Sequence, residues 1–252
     1  MINILVPSMG KSLFFQDSYF PKPMIEVAGK TMLEQLTENY SEIPDRHFIF
    51  VFSRKDCTEF HLDESAKILT GYDAEVIVLE EQTAGALCTC LMAVDAVNND
   101  SQLIITNSDQ IISTDFVKVL AKFMNEKADA GVITFDSIHP RWSYARVTDG
   151  EVIEVAEKRP LSKNAIAGFY WYRHGRAFIQ AAQRAVLKGS EVNGQYYISS
   201  SINEVILDGG KVSFFPVKRE DYHSFYSPEK ISDYEDSIRT SERRSINEGS
   251  KA

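Results

Sequence analysis

A chain of 252 residues, 44% of them apolar and 25% charged, has the size and composition of an ordinary globular protein with a real hydrophobic core. Its formal net charge of −9 and its lack of a basic cluster exclude the broad positive face that a nucleic-acid backbone requires. The apolar runs are too short to cross a bilayer, and the N-terminus lacks the features of a signal peptide. We therefore expect a cytoplasmic protein without a membrane span. A small anionic ligand is compatible with the negative net charge, because local positive groups can outweigh it.

The first half of the chain alternates short apolar runs with amphipathic segments. Continuous apolar runs are typical of strands that are covered on both faces, and apolar residues at helical spacing predict helices. Such alternation favours βαβ units and a mainly parallel sheet. The runs predict strands at 2–7, 47–53, 74–80, 102–109 and 130–136, with helices at 30–40, 57–69, 83–97 and 114–126.

The second half has a different pattern. Residues 143–158 predict two strands around a turn at 148–150. An aromatic-rich strand follows at 166–174, then two helices stopped by glycine at 175–189 and 195–210, and a late strand at 211–217. From about Asp236 the chain is polar, and it is either a short terminal helix or a disordered tail. We predict a single α/β domain over 1–236 with a Rossmann-like mixed, mainly parallel sheet and an additional small β layer. Its halves are 1–136 and 137–236, and a polar tail covers 237–252.

The three cysteines, Cys57, Cys88 and Cys90, do not indicate a metal site or a disulfide framework. Their number is odd, and the one-residue spacing of the last two is too short for a zinc hook. We expect small buried or half-buried thiols in a reducing compartment.

Polar residues follow the predicted first, third and fourth strands. Because ligands of open parallel sheets bind outside the carboxyl ends of the strands, these residues are candidate ligand contacts. Asp109, after the fourth strand, is suited to hold Mg²⁺ against a phosphate, although a turn residue is the alternative. The other candidates are Ser8, Gly10 and Lys11 after the first strand, and Gln82, Thr83 and Gly85 after the third.

The "GKS" at 10–12 is not the end of a Walker loop, because Leu5 occupies the position where that loop needs its first glycine. Gly10 and the following amides form either a small anion nest, helped by Lys11, or an ordinary tight turn. Lys22 is more specific, because Pro21 and Pro23 restrict the backbone on both sides of it. A lysine held in this way loses less entropy when it binds a phosphate.

Six segments together resemble the sugar-phosphate nucleotidyltransferases, over about residues 1–235. Each segment is modestly specific alone, and their order along the chain makes the resemblance strong. The branch that it resembles most is found in capsule and lipopolysaccharide gene clusters. The segments are "FPKPMIEVAGKTMLE" (20–34), "LEEQTAGALCT" (79–89), "LIITNSDQI" (103–111), "HPRWSYARV" (139–147), "VAEKRPLSKNAIAGFYWY" (155–172) and "VNGQYYISSSINEVI" (192–206).

The resemblance implies an enzyme that joins a nucleoside triphosphate to a sugar phosphate and expels pyrophosphate. A sugar-phosphate oxygen would attack the α-phosphorus in line, with catalysis by positioning and charge neutralisation. Lys22 would contact the phosphates, and Asp109 would hold Mg²⁺. The first-strand residues Ser8, Gly10 and Lys11 would bind the triphosphate, and Gln82, Thr83 and Gly85 would lie under the base.

The resemblance also implies a sugar-phosphate wall. Tyr144 would line it, Glu157 and Lys158 would bind sugar hydroxyls and the phosphate, and Asn164 and Gly168 would complete it. Without the resemblance, Glu157 and Lys158 also fit an exposed ion pair at a strand end.

Two segments depart from the family pattern. The loop at 8–13 is shorter, keeps only Gly10, and has Leu13 where we expect an arginine. Near the end, Tyr226 replaces a glycine, and the second metal carboxylate is absent or has moved to Asp221. The sugar-side motifs look intact, whereas the triphosphate-side motifs look eroded.

Two alternatives therefore stay open beside an active nucleotidyltransferase. One is a non-catalytic member of the family that binds a ligand or a partner. The other is a glycosyltransferase of the same fold that uses a preformed nucleotide-sugar. A homodimer is compatible with the sequence, with helix 175–188 and strand 166–172 as its candidate face.

Overall fold

The computed structural model describes residues 1–10, 14, 15 and 17–249, with side chains described as far as residue 240. The strands are β1 Ile2–Pro7, β2 Glu26–Val27, β3 Lys30–Thr31, β4 Arg46–Ser53, β5 Ala74–Leu79, β6 Gln102–Thr106, β7 Gln110–Ile112, β8 Ala130–Asp136, β9 Ser143–Thr148, β10 Glu151–Glu157, β11 Asn164–Tyr172, β12 Val212–Pro216 and β13 Tyr222–Ser224. The helices are α1 Met32–Asn39, α2 Arg54–Phe60, α3 Leu62–Leu69, α4 Ala86–Leu91, α5 Val94–Val97, α6 Phe116–Asn125, α7 Gly175–Leu187, α8 Ser199–Leu207 and α9 Pro228–Gly249.

Four parallel strands form the centre of the main sheet, in the order β6-β1-β4-β5. Ile4 pairs with Phe48 on one side and Ile104 on the other. These apolar runs are buried because helices cover both faces of the sheet. Their carboxyl ends therefore lie at one common edge.

The remaining strands make the sheet mixed. β11 runs antiparallel to β6, β8 and β9, the β9–β10 hairpin forms one edge, and β12 pairs parallel with β8. The hairpin turns at Asp149 and Gly150, whose φ angles of 50° and 83° match the two left-handed positions of a tight hairpin turn. Two small antiparallel sheets, β2–β3 and β7–β13, lie beside the main one. The predicted fold class is confirmed: these small sheets accompany the mainly parallel main sheet, which the β9–β10 hairpin extends.

Two hydrophobic cores cover the two faces of the sheet. Ile4 and Phe50 point into the first core, with α1, α2, α3 and α6, whereas Leu5 and Ile49 point into the second core, with α4, α5, α7 and α8. This alternation of neighbouring residues follows from the two-residue period of a strand. Membership of a side chain in the first or the second core therefore shows on which face of the sheet it lies.

The predicted helix at 57–69 is two helices, because His61 adopts a left-handed backbone with φ of 52° between α2 and α3. On α3, the side chain of Ile68 is 62% exposed. Leu62 and Ala66 are buried instead. At the C-terminal end, α9 includes most of the predicted polar tail, so the helical alternative is the observed one.

The expected dimer face on strand 166–172 is wrong. β11 lies inside the sheet between β6 and β8, and its residues from Ala165 onward are buried. Helix α7 stays a prediction as a dimer face. In the part of the chain that the structure describes, no helix has the length and apolar character needed to cross a bilayer. Cys57 and Cys90 are buried and Cys88 is half-buried, as expected, and burial raises the pKa of all three thiols.

Candidate functional site

The turns that follow β1, β5 and β6 meet at the carboxyl edge of the parallel strands. The hydroxyl of Ser8 donates a hydrogen bond to the hydroxyl of Ser108, with 3.2 Å between the oxygens. The side-chain amide of Gln82 donates to the carbonyl of Met9 at 3.2 Å. The structure thus brings together the three segments that the sequence identified as candidate ligand contacts.

Lys22 reaches this edge from a short 3₁₀ turn, Lys22–Met24. Pro21 is extended before the turn, and the Met24 amide donates to the Pro21 carbonyl at 2.9 Å. The Lys22 ammonium pairs with the Asp109 carboxylate, and the two side chains are 21% and 16% exposed. A cation and an anion are therefore adjacent at the strand ends, and both remain reachable from solvent.

The backbone at Asp109 is held from the β7–β13 sheet. The Phe225 amide donates to the Asp109 carbonyl at 2.7 Å, continuing the ladder in which Ser224 pairs with Gln110. On the other side, the Asn107 amide donates to the Gly168 carbonyl at 3.2 Å. Contacts from two directions hold the backbone of this turn, and a site that works by positioning requires such support.

Gly168 has to be a glycine because of its approach to this turn. Its φ is +57°, and a Cβ there would lie 2.3 Å from the side-chain nitrogen of Asn107 and 2.4 Å from the side-chain oxygen of Gln110. The Gln110 side chain donates to the Gly168 carbonyl at 3.0 Å. The structure therefore places Gly168 against the Asp109 turn, and its predicted part in the sugar wall stays a prediction.

A buried polar network behind Asp109 was not predicted. Gln110 donates to Thr106, Tyr40 and Thr106 share a hydrogen bond of 2.7 Å, and Tyr222 donates to Gln110. Such networks fix a unique arrangement when every member is satisfied. The run of polar residues at the end of β6 indicates such a network, but its partners Tyr40, directly after α1, and Tyr222, on β13, are distant in sequence.

Gly85 is required by the protein backbone. At its φ of +127°, a Cβ would lie 2.4 Å from the Tyr196 carbonyl oxygen and 2.6 Å from the Tyr196 nitrogen. The neighbouring Thr83 hydroxyl bonds to Thr89 at 2.7 Å. The contact with Tyr196 is thus one reason for a glycine at this position. Close approach of the Gly85 backbone to a base stays a prediction, as do the base contacts of Gln82 and Thr83.

Part of the predicted triphosphate loop is described. Ser8 is half-buried, and Gly10 is exposed, with a φ outside the left-handed region and no described atom within 4 Å of a built Cβ. Lys11, Ser12 and Leu13 lie outside the described residues. The anion nest and the shortened loop stay predictions.

Glu157, on the sugar side, is a half-buried carboxylate between two hydroxyls. It accepts hydrogen bonds from Ser143 and, at 2.8 Å, from Ser199. Burial raises the pKa of Glu157, and these hydrogen bonds and Lys158 offset only part of that effect. Sequence reasoning missed Ser199, because it lies on α8, which is far from β10 in the sequence.

Lys158 and Asn164 lie near Glu157 in the sequence, and both are engaged within the protein. The Lys158 ammonium donates to the Tyr197 hydroxyl, and its backbone amide donates to the Trp142 carbonyl at 3.0 Å. The Asn164 amide donates to the Ala145 carbonyl at 3.4 Å, at the long end of hydrogen-bond distances. A ligand could displace these contacts at little cost, because Lys158 is exposed and the Asn164 contact is weak.

Tyr144 does not line the expected pocket. Its side chain is fully buried, and its hydroxyl donates to the His139 carbonyl at 2.6 Å. It lies in the first core, on the opposite face of β9 from Ser143. The prediction that Tyr144 binds sugar is therefore corrected: Tyr144 is a core residue.

Asp221 does not complete a metal site with Asp109. Asp109 lies opposite Phe225 on the β7–β13 ladder, whereas the Asp221 carbonyl accepts from Ser113 at the other end of it. Four residues along a strand correspond to roughly 13 Å, too far to share one ion. The Asp221 carboxylate accepts from the Lys218 amide instead. Among the described residues, no group of three or more His, Cys, Asp or Glu side chains is arranged to hold a metal.

Comparisons with known proteins bear on the family and the fold of the chain. The family model described as nucleotidyl transferase matches residues 17–217, which is most of the chain. A curated relative, the bifunctional protein GlmU of Thermoanaerobacter pseudethanolicus, is 23% identical over 227 residues, covering 86% of this chain and 47% of the relative. The chain thus spans about half the length of that relative.

Two solved structures show the same fold. A nucleoside-diphosphate-sugar pyrophosphorylase from Vibrio cholerae has a TM-score of 0.76 at 21% identity, covering 92% of this chain and 99% of its own. A candidate glucose-1-phosphate thymidylyltransferase from Bacillus anthracis, in complex with a sucrose, has a TM-score of 0.77 at 17% identity, covering 95% and 96%. At these identities the likeness establishes the architecture.

Proposed function

The chain belongs to the nucleotidyl transferase family, and from that premise we propose that it joins a nucleoside triphosphate to a sugar or polyol phosphate. The products are a nucleotide-activated sugar and pyrophosphate. The observation that carries this proposal is the contact of Lys22 with Asp109 at the carboxyl edge of the parallel strands. Ligands bind at this edge in open parallel sheets, and a phosphate-binding cation with a carboxylate is what phosphoryl chemistry uses there.

The reaction needs no protein nucleophile. A phosphate oxygen of the sugar phosphate forms a bond to the α-phosphorus, and the bond from that phosphorus to the bridging oxygen of pyrophosphate breaks. Lys22 binds the phosphate where negative charge increases. Its mounting in a proline-flanked turn keeps it in place, so little reorganisation accompanies the charge shift.

The side chains at this edge fit a divalent ion that is held mainly by substrate. Mg²⁺ commonly binds through one or two carboxylates together with substrate phosphates, and Asp109 supplies one carboxylate. Asp109 would hold the ion after its contact with Lys22 opens. When bound, the ion neutralises charge on the triphosphate, while Lys22 remains on the phosphate side.

The sugar phosphate lies against the second half of the chain in this proposal. Glu157 accepts from sugar hydroxyls in the direction that Ser143 and Ser199 leave free, and the Lys158 ammonium moves from Tyr197 to the phosphate. Asn164 offers its amide nearby. This assignment rests on the resemblance of 155–172 to the family motif and on the hydrogen-bond capacity of these groups. It keeps 1–136 as the nucleotide half and 137–236 as the sugar half.

We extend the proposal to the use of the product. The branch that the sequence resembles supports a role in the synthesis of surface polysaccharide, in the cytoplasm, where nucleoside triphosphates are made. Deletion of the gene should then remove one sugar from the cell-surface polysaccharide, and re-expression of the wild-type protein should restore it. An unchanged sugar composition would contradict this extension and leave the reaction class untouched.

The reaction is tested by pyrophosphate release. The purified protein is mixed with Mg²⁺, each of the common nucleoside triphosphates and a panel of sugar 1-phosphates. At least one pair should release pyrophosphate and form the nucleotide-sugar. Asp109→Asn should lower the rate strongly, while Asp73→Asn, at an exposed carboxylate that contacts His47, serves as the control. If no pair reacts and only a nucleotide-sugar shifts the melting temperature, the protein is a transferase of preformed nucleotide-sugars.

A further inference from the structure

A cavity of about 480 Å³ opens on the face of the sheet opposite Glu157. It lies between the loop at 137–142, the segment at 219–226 and helix α9. Tyr222 on its wall belongs to the first core, whereas Val155, two residues before Glu157 on β10, belongs to the second. The sheet therefore separates this cavity from the proposed sugar-phosphate wall.

Arg141 lines the cavity in a stacked position. Its guanidinium lies 3.2 Å from the ring centre of Tyr226 and 5.1 Å from that of Trp142. Stacking occupies the flat face of a guanidinium and leaves the N–H groups at its rim for a ligand. Among the described side chains, Arg141 forms no ion pair with a carboxylate, because every arginine–carboxylate pair there involves another arginine. No described carboxylate therefore offsets its charge.

A second arginine stands on the same group of rings. The Arg219 guanidinium lies 5.3 Å from the ring centre of Phe135 and donates to the Tyr222 carbonyl at 2.8 Å. Phe135 and Tyr222 are 4.5 Å apart between ring centres, and Trp142 lies within 5.6 Å of both. In the described part of the chain, Arg219 also lacks a carboxylate within ion-pair distance. Two guanidiniums are thus held over one aromatic cluster without acidic partners.

The rest of the lining suits a hydroxylated anion. Serine hydroxyls surround the cavity. Two acidic residues, Glu229 and Asp233, also line it, and Asp233 is paired with Lys230 at 2.5 Å. His223 offers a ring nitrogen, and burial, with Arg219 second, lowers its pKa. A phosphate group matches such a site, because its oxygens accept several hydrogen bonds and arginine binds it through two parallel N–H groups. The volume is that of an ordinary small-ligand pocket.

We propose that this cavity binds the phosphate group of a small phosphate ester between Arg141 and Arg219, on the face of the sheet opposite the proposed sugar-phosphate wall. Free phosphate and a sugar phosphate share this chemistry. Nothing in the proposal requires nucleotidyl transfer, so it stands or falls independently of the reaction proposed above.

Calorimetric titration tests the proposal. Inorganic phosphate and glucose 1-phosphate are titrated separately into the wild type and into Lys22→Met, which weakens anion binding at the other edge. Arg141→Gln, made in the Lys22→Met background, should raise the dissociation constant at least tenfold, because a charge-assisted hydrogen bond is lost. Arg141→Lys should weaken binding to a smaller extent, since it keeps the charge and loses the fork.

The matched control is Arg146→Gln in the same background, because Arg146 is exposed, pairs with Glu154 and lies outside the cavity. It should bind phosphate as its parent does, and melting temperatures confirm that each variant is folded. Tighter binding of the ester than of free phosphate identifies a sugar phosphate as the source; equal binding identifies the phosphate alone. Phosphate binding that Arg141→Gln and Arg219→Gln leave unchanged overturns the proposal, as does the absence of measurable binding to the parent.

Discussion

The two sides of the candidate site handle charge in different ways. On the nucleotide side, Lys22 and Asp109 form a direct ion pair that is partly open to solvent. On the sugar side, Glu157 lies between two serine hydroxyls, and burial raises its pKa. One side carries opposite charges that can separate, whereas the other carries a carboxylate that neutral donors hold in place.

This difference indicates which side responds to ligands. The side chains of Lys22 and Asp109 are 21% and 16% exposed. A triphosphate and a metal ion would each offer one of them a new partner of opposite charge, so the pair can open without leaving a buried charge unpaired. The Glu157 network is more enclosed, and moving it would leave buried polar groups without partners. The Lys22–Asp109 pair should therefore rearrange on binding, while the Glu157 network should keep its geometry.

The largest expected effect comes from the nucleotide side. Lys22→Met removes the cation that faces the phosphates and should lower the rate of pyrophosphate release about 10²–10³-fold. Lys30→Met is the matched control, because Lys30 is exposed and pairs with Glu38 on the protein surface. A rate within about threefold of the control would place the phosphates elsewhere.

The support behind Asp109 is tested by a glycine substitution. Gly168→Ala forces a side chain into a left-handed position against Asn107 and Gln110, and it should reduce the free energy of unfolding by about 2–4 kcal/mol. Gly189→Ala is the control, since Gly189 has a φ of +65° but nothing within 4 Å of a built Cβ. It should cost about 1 kcal/mol. Equal losses in urea unfolding would show that the contact with the Asp109 turn is unimportant.

The sugar side predicts a pH dependence of stability. Because the pKa of Glu157 is higher in the folded protein than the usual value of about 4.3, the folded state binds its proton more tightly. This group therefore favours folding at low pH, and its contribution declines as the pH rises from about 4 through the raised pKa. Glu157→Gln cannot ionise, so the wild type should lose stability relative to the variant between pH 4 and pH 7. A relative gain over that interval, measured by urea unfolding, would contradict the burial of this carboxylate.

The smallest effect sharpens the boundary of the sugar side. Tyr144→Phe removes the hydrogen bond to His139 and should reduce the free energy of unfolding by about 1 kcal/mol. The KM for the sugar phosphate should stay unchanged, because the hydroxyl lies in the core. A several-fold increase in KM without loss of stability would show that Tyr144 contacts the sugar phosphate after all.

Sequence patterns predicted the strands of the central sheet well, because β1 and β4 are continuous apolar runs that only a doubly covered strand explains. They also singled out Lys22, which lies between two prolines, and Asp109, which follows a strand end. The structure brings these two side chains into contact, and their roles in the reaction stay predictions. What they missed depends on distant contacts. The three-residue strands β7 and β13 lack a periodic pattern of useful length, and their pairing alone separates Asp221 from Asp109.

Burial was harder to predict for single polar side chains. Tyr144 alternates with Ser143 along β9, and nothing local shows which of them faces the core. The break of the second predicted helix depends on the backbone of His61, a residue type that only occasionally adopts the left-handed conformation. The register of a strand and the sign of a φ angle depend on packing across the fold. A short window of sequence does not contain that information.

The Lys22–Asp109 edge is the proposed binding site of the triphosphate. The most direct measurement is the melting temperature of the wild type and of Lys22→Met with each nucleoside triphosphate and Mg²⁺. We expect at least one triphosphate to raise the melting temperature of the wild type, and we expect Lys22→Met to lose most of that increase. An equal increase in both proteins, or no increase with any triphosphate, would contradict the claim.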